Sequence, residues 1–185
     1  ETDLPLGINV LRNDAEAALS VAAAVDADFV RVNVHTGARV TDQGIVEGRA
    51  HETLRLRDRL GVDVGVFADT DVKHSAPLTP AGYTAESFAD TAERGLADAV
   101  IASGSGTGHA VDRDALTSVV AERESHGLDT PVLVGSGVTP ETVADLLGVA
   151  DGAIVGTALK RDGETTGPVD ADRVADLVAA ADAVR

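Results

Sequence analysis

Six short runs rich in valine and isoleucine recur along the chain, and amphipathic helical stretches lie between them. This alternation constrains the fold more than any other feature. The runs are Leu6–Leu11, Phe29–Val34, Asp63–Ala68, Ala99–Ala102, Pro131–Val134 and Gly152–Val155. Most are largely apolar on both faces, as strands of a parallel sheet covered by helices must be. The intervening stretches carry helical stripes: Leu116, Val119 and Val120; Val143, Leu146 and Leu147; and Val174, Leu177, Val178, Ala181 and Val184. Start signals accompany them. Asn13 with Glu16 makes a capping-box-like entry, and Thr139-Pro140-Glu141 sets a cap, an N1 proline and a first-turn acid in order. No linker or low-complexity tract interrupts the series, so residues 1–185 read as a single α/β domain.

Repeated strand–helix units leave two folds in contention, a doubly wound open sheet and a (βα)8 barrel of TIM type. The glycine pattern favours the barrel. Gly135-Ser136-Gly137-Val138 follows directly on the fifth run, and Gly156-Thr157-Ala158 follows the sixth. Glycine lets a backbone approach a ligand closely, and successive N–H groups at a helix start attract an anion. Barrels often hold a phosphate between the loops after their last two strands. Gly135, Ser136, Gly137, Gly156 and Thr157 are therefore the expected phosphate-binding residues. On this reading six units are present and the first two are absent. The resulting unpaired edges predict association with other copies.

Other polar residues cluster at the ends of the runs, where a barrel keeps its chemistry. Asn9 and Arg12 stand at the first run, Asn33 and His35 at the second, and Ser103 and Gly104 at the fourth. Lys73 is one of only two lysines and stands beside His74, after the third run. Lys73, His35 and His74, with Asn33, are the acid–base and orienting candidates. Asn9, Arg12, Ser103 and Gly104 are the substrate-binding candidates. Asp69, Asp71 and His74 have a spacing that would also suit a hard divalent cation, although the leading reading needs neither metal nor cofactor. The segment Asp42-Gln43-Gly44 reads as a possible lid.

Composition narrows the partners. There are 31 acidic residues against 15 basic ones, a formal charge of −16 that repels nucleic acid and anionic membranes. Aspartate outnumbers glutamate, and arginine far outnumbers lysine, which fits a cytoplasm of high salt. The longest apolar stretch, Ala17–Val25, is too short to span a bilayer. Zero cysteine excludes disulfides and thiolate chemistry.

Several motifs taken together resemble the BtpA/SgcQ family: Pro5-Leu6-Gly7-Ile8-Asn9-Val10-Leu11-Arg12-Asn13-Asp14, Arg31-Val32-Asn33-Val34-His35-Thr36-Gly37-Ala38, Thr41-Asp42-Gln43-Gly44, Asp71-Val72-Lys73-His74-Ser75, Val132-Leu133-Val134-Gly135-Ser136-Gly137-Val138-Thr139 and Asp151-Gly152-Ala153-Ile154-Val155-Gly156-Thr157. The resemblance runs in order through nearly the whole chain. It implies a phosphate-binding (βα)8 barrel of which this chain covers units three to eight. It also implies a ligand that is a small phosphorylated sugar or nucleotide. The rival implication is a non-catalytic factor for photosystem I biogenesis.

Overall fold

A computed structural model describes residues 3–42, 44–72, 75–78, 87–103 and 113–184. Six parallel strands form the main sheet in the order β1 (Gly7–Ile8), β2 (Phe29–Val32), β5 (Gly65–Asp69), β7 (Ala99–Ser103), β8 (Val132–Gly135) and β9 (Gly152–Ile154). Each corresponds to one of the six apolar runs, within a few residues at either end. Helices α1 (Ala15–Val25), α2 (Ala50–Leu60), α4 (Arg113–Ser125), α5 (Val143–Leu147) and α6 (Ala171–Asp182) follow strands of this sheet. The segment after β5 instead holds the short α3 (Ser87–Ala89), which runs into a π-helical turn, Asp90–Arg94.

Register divides the sheet into two unlike faces. Val32, Ala68, Val100 and Val132 are mutually aligned, so their side chains share one side. There they pack against the helices in two apolar clusters. One joins Val30, Val32 and Val66 to Ala18, Leu19 and Ala22; the other joins Val100, Val132 and Val134 to Phe88, Leu116, Val143 and Leu177. On the opposite face Arg31 aligns with Phe67 and Ala99, Asp69 with Ile101 and Leu133, and Ser103 with Gly135 and Ile154. This is the lumen face of a barrel wall. Phe29 and Phe67 stack on it with ring centroids 4.3 Å apart, and Gly7 leaves room for the Phe29 ring that no larger residue would.

A second, antiparallel sheet departs from the expected pattern. Strands β3 (Ala38–Thr41), β4 (Gly44–Glu47) and β6 (Ser75–Pro77) pair in the order β4-β3-β6. Asp42 and Gly44, in the segment read as a lid, therefore lie where β3 and β4 pair; Gln43 lies outside the described residues. Two helix starts also shift. Asp14, not Asn13, caps α1, accepting from the Ala17 N–H at 2.9 Å. Asn13 adopts a left-handed conformation (φ 57°), and its side chain pairs with both the N–H and the carbonyl of Val34. After Thr139 the chain first makes a turn in which the Thr139 carbonyl accepts from Thr142 and Val143; α5 begins only at Val143.

Candidate functional site

The carboxyl ends of the lumen strands carry a connected polar cluster around Asp69. Its carboxylate accepts from Arg31 Nε (3.2 Å) and Nη2 (2.8 Å), from Asn33 Nδ2 (2.7 Å) and from Ser103 Oγ (3.3 Å). The Asp69 side chain is 2% exposed, that of Arg31 29%. Burial pushes the Asp69 carboxyl above the ordinary carboxylate range, and the hydrogen bond and charge of Arg31 pull the other way. Asn9 joins from the neighbouring strand, its Nδ2 donating to the Arg31 carbonyl at 2.9 Å. Asn9, Asn33 and Ser103 thus converge as the sequence suggests. Arg31 was not among the candidates. The signal for it is a charge inside the run Phe29-Val30-Arg31-Val32, at a position whose aligned partner, Phe67, faces the lumen.

Beside this cluster lies a cavity of about 540 Å³, between the ends of β2 and β5, the antiparallel sheet and the π-helical turn. His35 forms part of its wall. The ring is 1% exposed, and its Nε2 sits 2.8 Å from the Gly95 carbonyl. A carbonyl only accepts, so Nε2 carries the proton. Nδ1 has no partner among the described residues and no contact with solvent. Burial holds the ring below the ordinary histidine value of 6.5, with the Gly95 bond opposing. The sequence marks His35 as a proton carrier; the structure buries it in the cavity wall with its Nε2 on the Gly95 carbonyl. Gly48 and Gly95 permit this packing, because a Cβ at Gly48 would lie 2.6 Å from His35 backbone atoms and one at Gly95 would lie 2.6 Å from the Thr91 carbonyl.

The remaining candidates separate. Arg12 turns away to Asp42 at 2.6 Å and lines a different cavity, of about 650 Å³, between α1, α2 and the β3–β4 hairpin. Asp71 pairs with Arg39 on the antiparallel sheet while Asp69 stays in the lumen cluster, so the two carboxylates serve different partners. Lys73, His74 and Gly104 lie outside the described residues. Among the described residues no three His, Asp or Glu side chains gather as a metal site.

Gly135, Ser136 and Gly137 leave the end of β8, and Gly156 and Thr157 leave the end of β9 beside it. Positive φ at Ser136 (113°) and Gly137 (68°) bends the first loop sharply. Gly156 heads a 3-10 turn, Thr157–Leu159, and the Thr157 hydroxyl lies 3.3 Å from that of Thr165. Among the described residues no acceptor engages the N–H groups of Gly137, Gly156 or Thr157.

A parallel sheet whose six strands lie side by side in chain order, with its polar groups at the strand carboxyl ends, defines a TIM-barrel-type protein and not a doubly wound sheet, whose order reverses. Solved structures agree on the fold. N-(5'-phosphoribosyl)anthranilate isomerase of Pyrococcus furiosus matches with a TM-score of 0.60 at 16% identity, over 100% of this chain and 76% of that one. Thiamine phosphate pyrophosphorylase of the same organism matches with a TM-score of 0.60 at 16% identity, over 98% and 69%. The chain belongs to the BtpA family, whose model matches residues 1–183. An uncharacterized protein of Thermococcus kodakarensis is 50% identical over 185 residues, all of this chain and 68% of the relative. The photosystem I biogenesis protein BtpA of Synechocystis is 47% identical over 177 residues, 95% of this chain and 60% of the relative. The chain thus spans between three-fifths and just over two-thirds of the length of these two relatives. No helix among the described residues is long and apolar enough to cross a membrane.

Proposed function

We propose that this chain is the ligand-binding part of a barrel enzyme acting on a small phosphorylated metabolite. The phosphate rests on the amides of Gly135, Ser136, Gly137, Gly156 and Thr157, and the rest of the ligand extends along the lumen toward Asn9, Arg31, Asn33 and Ser103. The observation that carries the reading is the pairing of β8 with β9, which sets two glycine loops side by side, with the N–H groups of Gly137, Gly156 and Thr157 engaged by no acceptor among the described residues. Two structural neighbours of the fold, N-(5'-phosphoribosyl)anthranilate isomerase and thiamine phosphate pyrophosphorylase, are named for phosphate compounds, which supports the class.

The reaction follows from the site only in outline. Asp69 is committed to Arg31, Asn33 and Ser103, so it orients donors and is not itself the base. Lys73 and His74 remain the acid–base candidates by sequence. A thermal-shift series with phosphate monoesters tests the reading, because a ligand stabilises the state it binds. Stabilisation by esters that disappears in Gly137→Asp, with the fold intact, is expected. Equal stabilisation of wild type and variant removes the phosphate site.

The name of the Synechocystis relative favours a second reading, an assembly factor that uses the barrel as a scaffold. It predicts no response to any phosphate ester, together with a protein partner recovered from cells.

A further inference from the structure

We propose that Arg31 recognises a carboxylate at the far end of the ligand from its phosphate, so that the substrate class is a phosphorylated sugar acid. This inference rests on the phosphate reading above. Asp69 holds the guanidinium side-on, through Nε and Nη2, at 3.2 and 2.8 Å. That leaves Nη1 and the second hydrogen of Nη2, the end-on edge of the fork, without a partner among the described residues. The Arg31 side chain is 29% exposed while its carboxylate partner is 2% exposed, so the arginine is the accessible member of the pair.

The free edge offers two parallel N–H vectors, which match the two oxygens of a planar carboxylate. Asp69 fixes the plane of the fork, and Asn33 and Ser103 in turn fix Asp69. The donor is therefore in place before any ligand arrives. Register puts the group on the same face as Ser103 and Gly135, the second of which opens the first glycine loop. From β2 to β8 there are three strand steps, about 14 Å measured along the sheet at about 4.8 Å per step. Gly135 also stands four residues, about 13 Å, further along the barrel than the register partners of Arg31, and the Arg31 side chain climbs half of that to Asp69. The gap suits a chain of about six carbons carrying a charge at each end.

The test is calorimetric titration of the full chain with 6-phosphogluconate, glucitol 6-phosphate and fructose 1,6-bisphosphate. It is repeated on Arg31→Lys, which keeps the ion pair but loses the forked edge, and on Arg31→Gln. The proposal expects wild type to bind 6-phosphogluconate at least about tenfold more tightly than glucitol 6-phosphate, and expects Arg31→Lys to erase that preference while glucitol 6-phosphate binding is kept. Equal wild-type affinities for the acid and the polyol overturn this inference and leave the phosphate reading standing. Tighter binding of the bisphosphate than of the acid overturns the carboxylate assignment. Binding of none of the three overturns both readings. A preference that survives in Arg31→Lys and Arg31→Gln, each with a wild-type circular-dichroism spectrum, overturns the role of Arg31.

Discussion

Replacing Asp69 with alanine strips the lumen of the acceptor for four hydrogen bonds, two of them from Arg31. Breaking a buried ion pair by removing one partner costs about 3–5 kcal/mol when both groups are enclosed. Here the remaining Arg31 side chain is 29% exposed and regains some water, which lowers the figure. The carboxylate also opposes its own burial, since desolvation raises its pKa, so its removal returns part of the loss. The net expectation is about 2–3 kcal/mol, or a fall in Tm of about 4–12 °C for a domain of this size. Urea unfolding at neutral pH, followed by circular dichroism, measures it. A double-mutant cycle with Arg31→Met and Asp69→Leu separates the pair from its surroundings, with an expected coupling of about 1–3 kcal/mol. If Asp69→Ala costs under about 0.5 kcal/mol and the cycle shows no coupling, the pair does not organise the lumen and the reasoning fails.

Protonation of His35 should destabilise the fold. Its folded pKa is lowered below 6.5, so its stability contribution is present above 6.5 and is lost as pH falls through 6.5 toward the folded value. The stability of wild type should drop between about pH 7.5 and 5.5, by at most about 1.4 kcal/mol per pH unit from this group, and His35→Phe should flatten that limb in urea titrations; an unchanged slope defeats the assignment. Phe88 is fully buried beside Leu116 and Val100, so Phe88→Ala should cost about 3–5 kcal/mol. A cost below about 1 kcal/mol would mean that this cluster is not packed as described. With a net charge of −16, raising KCl from about 0.1 to about 1 M shortens the screening length to about 3 Å and should raise Tm. A fall in Tm with salt counts against a surface limited by self-repulsion.

The six lumen strands were legible because each is a short apolar run, and the parallel arrangement followed from runs apolar on both sides. What periodicity missed has physical causes. Ala38–Thr41 and Gly44–Glu47 are brief, and most of their side chains stay partly or wholly exposed, so they carry no hydrophobic alternation. Asn13 and Asp14 are both good capping residues. Only the backbone decides between them, by putting Asn13 in the left-handed region and leaving Asp14 at the helix start. Polar residues at strand ends are visible in the sequence, yet their partners are not, because a partner such as Gly95 for His35 is 60 residues away in sequence. Arg31 was overlooked for a similar reason: within a strand it reads as an interruption until Asp69, on the adjacent strand, completes it.

The small antiparallel sheet has a mechanical effect. β3 continues from the exit of β2, β6 continues from the exit of β5, and the two pair with each other. The exits of two neighbouring wall strands are thereby laced together beyond the wall itself. Neither can tilt without dragging the other, so Arg31 and Asp69 travel as one rigid jaw whenever the rim of the molecule breathes.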